Sequence, residues 1–343
     1  MSWPRPGRAV AAAIVTTAAI GVALTYPSGG MWREPPLPAY GGMTRLVAHF
    51  RHANEDGPPP PRQVLVLGSS LTRYGIVQEQ LQHELGTGTR VVVLPLDGAS
   101  IWEVLRLARR FDRPRAPGPN VAIVEVRRAE FRAVDLYRYE RFVLRDKPEF
   151  VSAPGRLGAL RQRVSDLTPP RQQITAWWEE VRYGWLPRLG VRPSVPEAEP
   201  HRLWAMSPAR RQETLRDFMP ERAARMLRNR KFSRPALATL RLLVAELQGR
   251  GYRVLLFSPP VSSRYLATLD TLPAGAVAEA AYRATILSAD STGADAVIAF
   301  GTERSLGVGS SIFYDYGHLR PEGAARETRR IAEALDALGW LRR

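Results

Sequence analysis

The stretch VLVLGSSLTRYG, residues 64–75, decides the fold. An unbroken apolar run stops at Gly68, and two small polar residues follow before a new amphipathic segment begins. A run that is apolar at every position suits a strand covered on both faces, as in a parallel sheet, rather than one with a wet face. Ser70 then falls just past the strand's carboxyl end, which is where such sheets place their ligands. A second stretch, FYDYGHLRPEG at 313–323, sets Asp315 three residues before His318 and then starts a helix with Pro321. In chain order the two stretches supply a serine nucleophile, a carboxylate and a histidine base.

Outward from residue 64 the chain alternates. Strands are expected at 63–67, 90–94, 121–126, 253–258 and 294–300, and helices at 77–85, 101–111, 234–248, 273–288 and 321–338. This pattern predicts an α/β domain with a five-stranded parallel sheet between two helical layers.

Serine after glycine at a strand end also suits an ordinary tight turn, and DYGH also suits a cap on the helix that begins at Pro321. Both roles stay open for each segment taken alone. Their order and their placement on a strand end and a helix start favour chemistry. Serine needs a base to remove its proton, and His318 alone among the five histidines stands in a helix-initiating loop beside a carboxylate. His49, His52, His83 and His201 show no metal-ligand spacing, so neither a metal nor a cofactor is expected.

Composition bounds the rest. The 343 residues are 45% hydrophobic and contain no cysteine, which excludes disulfides, thiolate metal sites and a cysteine nucleophile. Arg5 and Arg8 precede an apolar run at 9–26, which reads as either a cleaved signal peptide or an uncleaved membrane anchor. The basic flank favours an anchor with the remainder outside the cytoplasm. Residues 27–62, rich in proline and glycine, read as a tether that brackets a short amphipathic segment with Met43, Leu46, Val47 and Phe50 on one face. The main domain is then 63–343, with a largely helical insert at about 132–232.

That insert lies in the most basic part of the chain. Residues 127–253 hold 27 lysines and arginines against 14 acidic residues, so they carry 13 of the 16 net positive charges. Trp177, Trp178, Trp185 and Trp204 lie in the same interval and suit either a small core of its own or a sugar-stacking platform. Such a face fits an acidic glycan or anionic lipid headgroups. Nucleic acid is not expected, because the chain carries an export-type N-terminus and no nucleic-acid motif.

The motifs resemble those of the SGNH/GDSL hydrolase superfamily. GSSLT at 68–72 is similar to its first block, with Ser69 where the usual aspartate stands and Ser70 as nucleophile. DGAS at 97–100 resembles the second block, whose glycine, here Gly98, donates a backbone N–H to the oxyanion. DYGH at 315–318 resembles the last block, and LRPEGA after it resembles membrane-anchored envelope members that accompany O-acyltransferases, such as the alginate acetylation and D-alanyl transfer proteins. The resemblance spans about 63–130 and 251–340 and implies a three-layer, flavodoxin-like fold. It implies catalytic Ser70, Asp315 and His318 and an oxyanion site at Ser70 and Gly98. The chain departs from the third block, where GxND would supply an asparagine and VAIVEVRRAEF stands at 121–131; Arg128 lies nearest the missing donor and Arg127 is next to it.

The expected function is therefore that of an exported, membrane-anchored serine acyl esterase or acyltransferase, acting on O-acyl groups, chiefly acetyl, of an extracellular or cell-envelope polysaccharide. A membrane-bound O-acyltransferase is the implied protein partner, and the catalytic domain is placed in the periplasm or outside the cell. An inactive SGNH-like domain that binds a glycan or partner, and a lipid-directed esterase at the membrane surface, are the alternatives.

Overall fold

The computed structural model describes residues 61–97, 99–110, 118–127, 207–209, 234–271 and 275–341. The apolar run at 9–26, the tether up to residue 60 and almost all of the basic insert with its tryptophans lie outside the described residues. Among the described residues no helix is long and apolar enough to cross a membrane.

Five strands form one all-parallel sheet: β1 (Arg62–Gly68), β2 (Thr89–Pro95), β3 (Asn120–Glu125), β4 (Tyr252–Ser258) and β5 (Ala296–Ala299), in the spatial order β2-β1-β3-β4-β5. The α/β class and the five strands expected from the sequence are both present. Side chains along each strand alternate between two cores, because successive residues point to opposite faces. Leu65, Leu67, Val92, Leu94, Ala122, Val124, Val254 and Leu256 enter one core. Val64, Val66, Val91, Val93, Val121, Ile123, Leu255 and Phe257 enter the other.

The first core is closed by α3 (Ile101–Arg110) and α4 (Arg234–Gly249), which Arg109 and Glu246 join through an ion pair of 2.7 Å. The second is closed by α2 (Gln78–Leu85) and by α8 (Pro321–Ala337), whose Ile331, Ala332 and Leu335 face the sheet. β2 is an edge strand, and its outward amides are covered: Val91 N–H donates to Gln82 Oε1 at 2.8 Å and Val93 N–H to Gln78 Oε1 at 3.0 Å. Two glutamines a turn apart on α2 thus do for β2 what a further strand would do.

Several short elements were not expected. A six-residue helix α1 (Ser70–Gly75) starts at the serine itself, and α5 (Ser263–Asp270), α7 (Ala289–Thr292) and two 3-10 turns (Glu303–Leu306, Ser310–Ile312) fill the loops. The helix expected at 273–288 is the shorter α6 (Gly275–Thr285), and β5 is shorter than 294–300. The reason at β5 is local. Asp295 turns its side chain back to accept Val254 N–H at 2.7 Å, so the strand begins only after it.

Candidate active site

The carboxyl end of β1 is shaped by close packing. A Cβ on Gly68 would lie 1.9 Å from Thr72 Oγ1 and 2.6 Å from Glu125 Oε2, so only glycine lets the strand end against these groups. Ser69 caps α1, with its Oγ accepting Leu71 N–H at 3.1 Å. Glu125, at the end of β3 and 1% exposed, accepts four hydrogen bonds from the same turn. They come from Ser69 N–H (2.9 Å), Ser69 Oγ–H (2.5 Å), Thr72 N–H (2.8 Å) and Thr72 Oγ1–H (2.5 Å).

This leaves one amide of the first turn unspent. The opening N–H groups of a helix have no partner within it. Those of Ser69, Leu71 and Thr72 are taken by Glu125 and by the Ser69 hydroxyl. The Ser70 N–H has no acceptor among the described residues.

The second half of the site comes from residues 313–319. Phe313 and Leu319 face each other across a bridge, and Tyr314 N–H donates to the His318 carbonyl at 2.8 Å, which folds the DYGH segment into a tight loop. Within it Asp315 Oδ1 accepts the N–H groups of Gly317 (2.9 Å) and His318 (2.8 Å). Asp315 Oδ2 lies 2.7 Å from His318 Nδ1, and His318 Nε2 lies 2.8 Å from Ser70 Oγ. The histidine side chain is only 16% exposed, with Tyr74 edge-on to its ring at a centroid distance of 5.4 Å.

Ser70 is therefore brought within hydrogen-bond reach of His318, which is in turn paired with Asp315, although the serine lies 245 residues or more before the other two in the chain. Burial pushes the Asp315 carboxyl up, but the neighbouring His318 and the three hydrogen bonds from Gly317 and His318 outweigh it and hold the group below the usual carboxylate range. A charged Asp315 accepts the Nδ1 proton and so selects the tautomer whose Nε2 lone pair faces the serine. The DYGH segment does not cap α8, whose N-cap Arg320 makes no side-chain capping bond; its carboxylate instead takes two amides of its own loop and orients the histidine.

Gly98 and Arg128 lie outside the described residues, whereas Asp97, Ala99 and Arg127 lie within them. On one side of position 98, Asp97 pairs with Arg73 at 2.7 Å, and Arg73 also donates to the Pro95 carbonyl at 3.2 Å. On the other, the Ala99 carbonyl accepts a hydrogen bond from Arg127 Nη2, while Arg127 Nε lies 3.4 Å from Glu125 Oε1. Arg127 thus turns inward to carbonyl and carboxylate.

Sequence reasoning missed Glu125. The available signal was a lone carboxylate closing the otherwise apolar run VAIVE, where a charge is costly to bury without several donors. It also missed Glu327 on α8, which is fully buried against Gly75, whose added Cβ would lie 2.2 Å from Glu327 Oε2. Neither Glu327 oxygen has a hydrogen-bond partner among the described residues. Burial, reinforced by the charge of Glu125, pushes its carboxyl well above the usual range.

Comparison with known proteins adds no assignment: no protein-family model matches the chain, and no curated protein matches it.

Proposed function

We propose that this chain is a serine acyl esterase or acyltransferase of the SGNH type. The observation that carries the proposal is the unbroken Ser70–His318–Asp315 line, with contacts of 2.8 and 2.7 Å. The strand order β2-β1-β3-β4-β5, which is the flavodoxin-like order, and the position of Ser70 beyond the carboxyl end of β1 support it.

The geometry supports the following chemistry. His318 Nε2 takes the Ser70 proton as Oγ attacks the acyl carbon, and Asp315 holds the imidazolium that forms. The negative charge that develops on the acyl oxygen is received by the unspent Ser70 N–H, a donor of a kind worth about 3 kcal/mol to the transition state. Collapse of the tetrahedral intermediate breaks the bond to the leaving alcohol, which takes the proton from His318 and leaves an acyl-serine. His318 then deprotonates an incoming hydroxyl. Water gives an esterase and a sugar hydroxyl a transferase, with Ser70 regaining its proton in both. Gly98 is the proposed second backbone donor, and Arg128 the proposed occupant of the asparagine position.

The proposed setting is an exported protein held at the plasma membrane by residues 9–26, working on O-acetyl groups of an envelope polysaccharide beside a membrane-bound O-acyltransferase. The apolar run behind Arg5 and Arg8 and the basic interval at 127–253 support this setting.

Hydrolysis of a chromogenic acetyl ester tests the chemistry directly. Wild type is expected to turn over, and Ser70→Ala and His318→Ala each to lose about 10³-fold or more of kcat. A fluorophosphonate should label the wild type on Ser70 and leave Ser70→Ala unlabelled. A wild-type protein that neither turns over the ester nor takes the label would sink the proposal.

A further inference from the structure

We infer that Glu125 and Arg127 are positioning residues for the acyl-transfer site. This rests on the serine acyl chemistry proposed above and deepens it, because it names what supports the oxyanion site where the chain has no asparagine.

A helix opening offers several N–H groups, and an acyl oxygen needs the right one to be free and the others to be occupied. Glu125 does this sorting. Its two oxygens take the amides and hydroxyls of Ser69 and Thr72, residues on either side of Ser70 and Leu71. With Leu71 N–H spent on Ser69 Oγ, the nucleophile's own amide is the one left without an acceptor among the described residues. Four bonds to one carboxylate also hold the turn against rotation, so Ser70 Oγ stays 2.8 Å from His318 Nε2.

Arg127 extends the same support to the β2–α3 connection. Its side chain, 13% exposed, reaches Glu125 with Nε and the Ala99 carbonyl with Nη2. A planar fork with fixed donor directions sets a distance between the two acceptors that a lysine's single ammonium cannot copy. The residue before position 98 is held from the other side by Arg73, itself on the nucleophile helix α1. Both flanks of Gly98 are thereby tied to the Ser70 turn, one through α1 and one through the end of β3. Arg128, the proposed occupant of the asparagine position, lies outside the described residues, and its neighbour Arg127 is committed to the support of backbone donors.

Arg127→Met, Arg127→Lys and Glu125→Gln in the full chain test this on the chromogenic acetyl ester, with active sites counted by the extent of fluorophosphonate labelling. Arg127→Met is expected to lower kcat per labelled site on the order of 10²-fold with KM changed little, since the aligned donors act mainly on the transition state. Arg127→Lys should recover part of the loss, and Glu125→Gln should lower kcat in the same way. A purely structural role would instead lower the melting temperature and the number of labelled sites and leave kcat per site unchanged. That result overturns the proposal. If Glu125→Gln fails to fold, Arg127→Met and Arg127→Lys decide alone, as Arg127 sits at the partly exposed rim. Failure of the acyl chemistry itself is recognised separately, by a wild type that neither turns over nor labels; variants indistinguishable from an active wild type overturn only the positioning role.

Discussion

Glu327 illustrates how one residue's environment sets its chemistry. Its carboxyl is fully buried, has no hydrogen-bond partner among the described residues and feels the charge of Glu125, so the folded protein holds it protonated well above its ordinary range. An unfolded chain releases that proton at about pH 4.3. The stability this group contributes is therefore complete below that pH and falls as pH rises toward the folded value. Glu327→Gln, which keeps the shape of the neutral acid, should match wild type in denaturant melts near about pH 4 and exceed it increasingly toward about pH 8. A gap that does not change with pH would count against a buried neutral acid. Asp315 has the opposite sign. Its lowered value means stability present above about pH 3.9 and lost as the solution is acidified through the folded value, so the penalty of Asp315→Asn should shrink at low pH while its loss of kcat, about 10³-fold or more, persists at neutral pH.

At the scale of an element, the site is a joint between the ends of β1 and β3. The two strands pair in parallel with Leu67 opposite Val124, which brings Gly68 beside the residue that follows Val124, namely Glu125. Only a missing Cβ leaves room there, and the carboxylate fills it. Gly68→Ala should push the Thr72 and Glu125 side chains out of their hydrogen bonds and misalign α1. The expected result is a loss of about 2 kcal/mol or more in stability, the range for overpacking a close-packed interior. Labelling of Ser70 should slow by more than tenfold at temperatures where the protein is still folded, on the order of the loss of an aligned donor. Thermal melts together with labelling rates check this, and an unchanged labelling rate in a folded variant would show that the joint does not set the nucleophile. Helix α8 plays the matching part on the other side, since it follows the His318 loop and its Thr328 Oγ1 accepts Val77 N–H at 2.9 Å just after α1.

At the scale of the molecule, the one sheet among the described residues contributes side chains to both cores, which couples the two helical layers through it. Leu240 on α4 closes one core and Ile331 on α8 closes the other, and both are fully buried. Leu240→Ala should cost about 2–5 kcal/mol, with Ile331→Ala in the same range. Because the serine hangs on one side of the shared sheet and the histidine loop on α8's side, each variant should lose Ser70 labelling at its own lowered unfolding temperature, followed by circular dichroism. Labelling that survives unfolding of either helical layer would argue that the layers are not coupled through the sheet.

The sequence by itself determined the class of fold, the five strands and the residues of the serine, aspartate and histidine line, because each rests on local pattern: apolar runs at strand length, a glycine at a strand end, a carboxylate three residues before a histidine, a proline at a helix start. Gly98 and Arg128, also read from the sequence, lie outside the described residues. Only the tertiary structure decided that Ser70 and His318 meet, that α1 starts at Ser70, that Glu125 takes the amides of its turn and that Arg127 reaches the Ala99 carbonyl. Those facts depend on which strands are neighbours and in what register, and a sequence read locally carries no distance between residues 70, 125 and 318. Nothing beside Glu125 in the sequence accounts for burying its charge; the four donors that do belong to a turn more than fifty residues earlier.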